Sequence, residues 1–466
     1  MKSARRLGLL LALFGLIQAS TSLAGPVDDP RIRAAALTAG VGFVLLASLF
    51  AGRLFASMGL PKLTGYLSAG MLAGPAILGF LSEDSVEGMG LINGVAVALI
   101  ALTAGSEMDF RSMKPLLRSI AWISALAVLG TAVLLGVLTF AVRGFLGFLS
   151  EMPILEAAVV SALIGVVVVA QSPAVVVAIR AETGADGPVA RTVLGVVVVA
   201  DLMVIVLFAI VSSVCQSVLA GGVDVGEAAA GVSWELFGSL AIGTLIGGIL
   251  ALWMRIIGDR GLDLFVLATC LVVAEIARRV HLDPLLVMLA AGMFVENVAH
   301  SGHRLRKAFE DASLPVYILF FTVAGASIHL HVLPQVAVPA GVLLLGRAAG
   351  LWSGTALASR IAGAPVAVQR WAGFGLMPQA GLAIALSLLF ARTFPTFGEE
   401  ASALTLGIVA MNELVAPALM RWSLVRAGES SSSASTSDPS IADSDPPSHP
   451  PDESTEEPTV VSDAGH

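Results

Sequence analysis

One acid, Asp201, lies in the middle of the apolar run TVLGVVVVADLMVIVLFAIV, with about ten residues on either side. A carboxylate at mid-depth in a bilayer costs about 2.5–3.5 kcal/mol on insertion scales, so an intramembrane acid marks a functional site by default. The preceding run, VVSALIGVVVVAQSPAVVVAI, is broken at its centre by Gln171, Ser172 and Pro173. Non-helical backbone at that depth is tolerated only where it lines a cavity or packs in protein. An acid beside a broken helix at the midplane is what an ion site in a secondary transporter needs. Gln171, Ser172 and the carbonyls freed at the break add neutral oxygens, which suit a hard cation.

Arg347, in GVLLLGRAAGLWSGTALA, is the one basic residue deep inside an apolar run. It must reach an acid or a helix end, and Asp201 is its expected partner; a purely structural role stays open beside this. Arg keeps its proton under all relevant conditions, so it tunes the acid without carrying the proton. A second interruption, Pro378, Gln379 and Gly381 in GFGLMPQAGLAIALSLL, falls seven spans after the first. Two interrupted helices in corresponding places point to inverted repeats with the site between them. Glu107, Glu413 and Glu275 are secondary candidates, and Glu275 has Arg278 and Arg279 one helical turn away to pair with. The histidines His281, His300, His303, His329 and His331 cluster in loops. Cys215 and Cys270 sit inside apolar runs and read as small packing residues, with no disulfide or metal framework.

These residues must be held by membrane-spanning helices. The 466-residue chain is 56% hydrophobic and 13% charged, with a mean hydropathy of +0.90, which is a polytopic membrane composition. Thirteen spans are expected, at 34–55, 60–80, 89–106, 116–141, 154–179, 190–219, 233–256, 262–280, 283–299, 312–328, 336–359, 371–391 and 401–422. Residues 1–24 have the basic start, apolar core and small-residue end of a cleavable signal peptide, which sets the mature N-terminus outside. An odd span count then places the C-terminus in the cytoplasm. Lys and Arg agree: 16 fall in the loops this assigns to the cytoplasm and 6 in the opposite loops, where Glu83, Asp84, Glu87, Asp224 and Glu227 occur. Residues 427–466 hold nine acids and no Lys or Arg, so they account for the net charge of −8. This Ser- and Pro-rich stretch reads as a disordered cytoplasmic tail. No GxxxxGK[ST] and no GxGxxG after a strand occurs, which leaves an ion gradient as the energy source. HExxH is absent and there is one central aspartate where an intramembrane aspartyl protease needs two, so an enzyme is not expected.

Nine stretches in order carry a resemblance: LPKLTGYLSAGMLAGP, AGSEMDF, AQSPAVVVAI, VVVADLMVIVLF, HLDPLLVMLAAGMFVEN, LPVYILFFTVAGASIHL, GRAAGLWSG, GLMPQAGLAIAL and MNELVAPALMRWSLVRAGE. Together they resemble the bacterial monovalent cation:proton antiporter superfamily, the sodium/proton exchanger and Kef-type membrane domain, over roughly residues 34 to 426. The resemblance implies an all-α fold of thirteen helices and a homodimer in the inner membrane. Each exchanger domain, 30–426, would divide into a dimerisation panel and an ion-carrying core of spans four to six and eleven to thirteen. It implies that the acid at Asp201 binds cation and proton in turn, with the basic residue at Arg347 paired to that site. The chain departs from the pattern at Ala200, where relatives carry Asn or Asp, and at Gln171-Ser172-Pro173, where many carry Thr-Asp-Pro. The expected activity is electroneutral exchange of Na+ or K+ for H+, without a cofactor, a nucleic-acid partner or a metal beyond the transported ion. A small organic-anion symporter using Arg347, or a non-transporting sensor on the same fold, are the alternatives.

Overall fold

Prolines and caps set where helices start. Ser172 accepts from the Val175 amide and is followed by Pro173, and Asp283 accepts from the Leu285 amide and is followed by Pro284. Both pairs are an N-cap followed by a proline at the first helical position, whose missing N–H costs nothing there. Gly184, at φ 63°, closes the first of these helices in the left-handed conformation that glycine adopts without strain. A computed structural model describes residues 30–75, 77–81, 86, 88–220, 233–258, 261–280, 282–327, 333–379, 381–394 and 396–430. The expected signal peptide, 1–24, and the expected tail beyond residue 430 lie outside the described residues. So do Glu83, Asp84, Glu87, Asp224, Glu227, Arg260, His281, His329 and His331.

The described residues form helices joined by turns and short irregular segments, with no strand among them. In order they form α1 (Pro30–Ser57), α2 (Lys62–Ala73), α3 (Gly90–Ser106) and α4 (Phe110–Ala141). The first broken span gives α5 (Ile154–Val169) and α6 (Pro173–Thr183), followed by α7 (Pro188–Ala220). Then come α8 (Trp234–Ile256), α9 (Leu262–Arg279), α10 (Pro284–Asn297), α11 (Gly302–Ala326) and α12 (Leu333–Ala362). The second broken span gives α13 (Val366–Gly375) and α14 (Gly381–Thr393), and α15 (Gly398–Arg426) ends the bundle. Each expected span overlaps one of these helices or, at the two breaks, a pair of half-helices; the 60–80 span is helical over Lys62–Ala73. Six segments are long and apolar enough to cross a bilayer by themselves, among them Ile154–Thr183 and Pro188–Leu219.

The helices fall into two groups that pack mainly within themselves. One holds α1–α3 and α8–α11; the other holds α4–α7 and α12–α15. They meet chiefly through α6 and α15, which touch α2 and α3. Within each group small residues let backbones approach, as membrane packing requires where burial from water no longer drives association. A Cβ on Gly105 of α3 would collide with the Leu289 carbonyl of α10, and one on Gly292 of α10 with the Leu102 carbonyl of α3. The broken segment Ile154–Thr183 is the most enclosed, with 89% of its apolar window buried, whereas Trp234–Ile256 is 22% buried and faces outward.

Candidate functional site

The two breaks cross. The Ser172 amide donates to the Pro378 carbonyl at 3.1 Å, tying the α5–α6 break to the α13–α14 break. Extended backbone at Ser172 (φ −129°, ψ 104°) follows from Pro173, which bars its predecessor from the helical region. Each break leaves carbonyls without helical partners at the end of its first half-helix. Arg347 of α12 takes them. Its Nε donates to Val168 O at 2.9 Å, Nη1 to Met377 O at 2.7 Å and Nη2 to Ala170 O at 3.0 Å. One guanidinium, 1% exposed, thus closes the C-terminal ends of both α5 and α13.

This corrects the expected ion pair of Arg347 with Asp201. All three guanidinium nitrogens are turned to carbonyls, because two helix ends of about −0.5 charge each already make a complete counter-charge. Gln379 and Asn412 reinforce the knot: Gln379 Nε2 donates to Val168 O at 2.6 Å, and Asn412 Nδ2 to Met377 O at 2.9 Å. Glu413 accepts from the Gln379 amide at 2.7 Å, leaving its second oxygen without a partner.

Asp201 lies on α7 on the other side of the break, 2% exposed, with Oδ1 lacking any protein partner. Gln171, fully buried, has both its amide oxygen and nitrogen unpartnered. Burying such groups unpaired is costly, which marks them as candidate ligands. Both line a cavity of about 560 Å³, together with Ser172, Pro173 and Gly381. The N-terminal, positive ends of α6 and α14 therefore border the space that holds the carboxylate, while their negative counterparts are held by Arg347. Along α7 the cavity is also lined by Phe208, Ser212, Ser213 and Gln216, and from other elements by Glu235, Asp283 and Thr393. Its described lining carries three acids and no Lys, Arg or His.

At the opposite end the two helix groups are fastened together. Arg180 of α6 pairs with Glu107, just after α3, at 2.6 Å, with both side chains largely buried. The Glu182 carboxylate accepts from the Lys62 amide at the start of α2, 3.0 Å from each oxygen, and Arg421 of α15 donates to the Gly59 carbonyl. In the loop beyond α6, Asp186 accepts from Arg191 and Arg180. The Arg191 hydrogen bonds, with both guanidinium charges, hold its carboxyl below the usual range. Glu429 caps α7 through the Val189 and Ala190 amides at 2.7 and 2.9 Å.

Of the residues singled out in the sequence, Asp201, Gln171, Ser172, Pro173 and Gly381 share the cavity. Arg347, Pro378, Gln379 and Glu413 form the knot behind it. Glu107 belongs to the fastening, and Glu275 pairs with Arg279 at 2.7 Å, half-exposed. Asp283, Ser212 and Ser213 were not singled out; Asp283 was legible only as a cap before Pro284. Arg180 was read merely as a loop charge, and its pairing across 73 residues has no local signal.

A family model described as sodium/hydrogen exchanger, transmembrane, matches residues 43–426. The fold is similar to a structure of the sodium proton antiporter MjNhaP1 from Methanocaldococcus jannaschii at pH 8. The TM-score is 0.62 at 15% identity, covering 84% of this chain and 98% of that one. An electron-microscopy structure of the same antiporter gives 0.62 at 15% identity over 83% and 94%.

Proposed function

Because the chain belongs to the sodium/hydrogen exchanger family, we propose that it exchanges a monovalent cation, Na+ or K+, for H+, with Asp201 holding each in turn. One observation carries the reading: an unpartnered carboxylate and an unpartnered Gln171 amide face one cavity beside two crossing helix breaks. A cation takes the Asp201 and Gln171 oxygens, with Ser172 beside them; a proton on Asp201 removes the charge that holds the cation. Competition for the same oxygens couples the two flows. A single alternating carboxylate implies one proton per cation, hence electroneutral exchange. The helix N-termini of α6 and α14 support the bare carboxylate between the two.

Alternating access follows from the two ends of the molecule. The cavity reaches the Glu235 end, and the Arg180–Glu107, Glu182–Lys62 and Arg421–Gly59 contacts close the other. Loop charges support an orientation with the closed end cytoplasmic, which makes this an outward-facing form in the bacterial inner membrane. Movement of α4–α7 and α12–α15 against the other group, with those contacts released, would carry Asp201 to the inside. The organic-anion alternative needs Arg347 for the anion, but that guanidinium is committed to three carbonyls and does not line the cavity.

The test is cation-evoked proton movement in proteoliposomes containing a pH dye, with Na+, K+ and Li+ added in turn and the membrane potential clamped or free. The reading expects movement indifferent to potential in the wild type and none in Asp201→Asn. Silence of the wild type towards every cation would sink it.

A further inference from the structure

The cavity has a second acid that the exchange cycle at Asp201 leaves unused. Asp283 caps α10, which belongs to the other helix group, and so approaches the same space from the opposite wall. The cap engages the carboxylate through the Leu285 amide, which donates to Oδ1 at 2.8 Å, and through the Leu286 amide, and the Asp283 amide is held by Ser239 Oγ at 3.0 Å. The carboxylate is thereby fixed in place on a rigid helix end. Facing the same cavity on α7, three turns beyond Asp201, is Ser213, 6% exposed, with an Oγ that has no partner. Ser212 and Gln216 beside it are bonded to each other at 3.4 Å and also line the space. Of the buried hydroxyls without a partner among the described residues, Ser213 is the one that lines this cavity, whose described lining is acidic and free of bases.

From this arrangement we propose that Asp283 and Ser213, with Ser212 and Gln216, form an outer binding station for the monovalent cation on its way to Asp201. This rests on the exchanger reading above and extends it. A cleft lined by one sign of charge raises the local concentration of the opposite ion and speeds its capture. The station therefore acts on loading from the Glu235 side. Because Asp283 stands on the helix group opposite Asp201, movement of α7 against α10 changes the separation of the two acids. The cation would leave the outer station as Asp201 departs for the inside.

Asparagine caps a helix about as well as aspartate, so Asp283→Asn removes the charge and keeps the cap. The experiment measures cation-driven proton flux in oriented proteoliposomes as a function of Na+ or K+ supplied on the Glu235 side, and separately on the opposite side. The expected result for Asp283→Asn is a KM raised about tenfold from the Glu235 side, the lower end for loss of electrostatic focusing. Maximal rate and opposite-side KM should stay at wild-type values, and thermal unfolding should be unchanged. Asp283→Ser, also a good cap, repeats the test if the Asn variant does not fold. A wild-type KM in a well-folded variant would overturn the station while leaving the exchanger reading intact. An equal rise in KM from both sides would also overturn it. A wild type that moves no protons would instead overturn the exchanger reading on which it rests.

Discussion

Arg347 is the perturbation that tests the knot most severely. Its three charge-assisted hydrogen bonds are worth about 1.5–3 kcal/mol each before the cost of burying the guanidinium, itself several kcal/mol. Two of the three carbonyls have a second donor, Val168 O from Gln379 and Met377 O from Asn412. Arg347→Met, of similar volume and neutral, therefore strands Ala170 O, at about 1–3 kcal/mol, and leaves two helix ends uncompensated. Together this amounts to about 3–5 kcal/mol, the range for breaking a buried charged arrangement. That is a large part of the 5–15 kcal/mol a typical domain has in hand. Arg347→Lys keeps the charge but cannot span three carbonyls on two chain segments with one ammonium, so it should fall between. Thermal unfolding in detergent, followed by tryptophan fluorescence, should rank wild type above Lys and Lys above Met. A Met variant as stable as the wild type would refute the assignment of Arg347 to the helix ends.

Three further outcomes follow from the packing and the fastening. Gly292→Val puts a branched side chain against the Leu102 carbonyl and should cost more than the roughly 1–3 kcal/mol of ordinary overpacking, read as loss of folded protein in detergent. Glu107→Gln removes the partner of Arg180 and should speed hydrogen exchange over Arg180–Ala185 by about tenfold or more, each 1.4 kcal/mol being a factor of ten; unchanged exchange would deny the fastening. Asp186 is held low in the folded chain, so its contribution to stability is present above the unfolded value, about 3.9, and disappears as pH falls through the lower folded value. Wild type should thus exceed Asp186→Asn in stability at pH 6, and the two should converge in strong acid.

Much of this was legible in the sequence because membrane proteins confine polarity to few places. Asp201 and the two Pro breaks stood out against apolar runs. The partner of Arg347 was not legible. An acid and a pair of helix ends offer a cation the same charge, and only the crossing of the breaks decides between them. Nor could local pattern reveal that Arg180 meets Glu107, since their pairing depends on how α6 leans on α3. Asp283 was hidden by its own cap, which accounts for the residue completely until the cavity beside it is seen.

The central claim is that cation and proton compete for Asp201. It is tested most directly by counting protons released into weak buffer when Na+ or K+ is titrated onto purified protein in detergent. The account predicts about one proton released per cation bound at a pH where Asp201 is protonated, and none from Asp201→Asn. Cation binding without proton release, or equal release from the Asn variant, would contradict it.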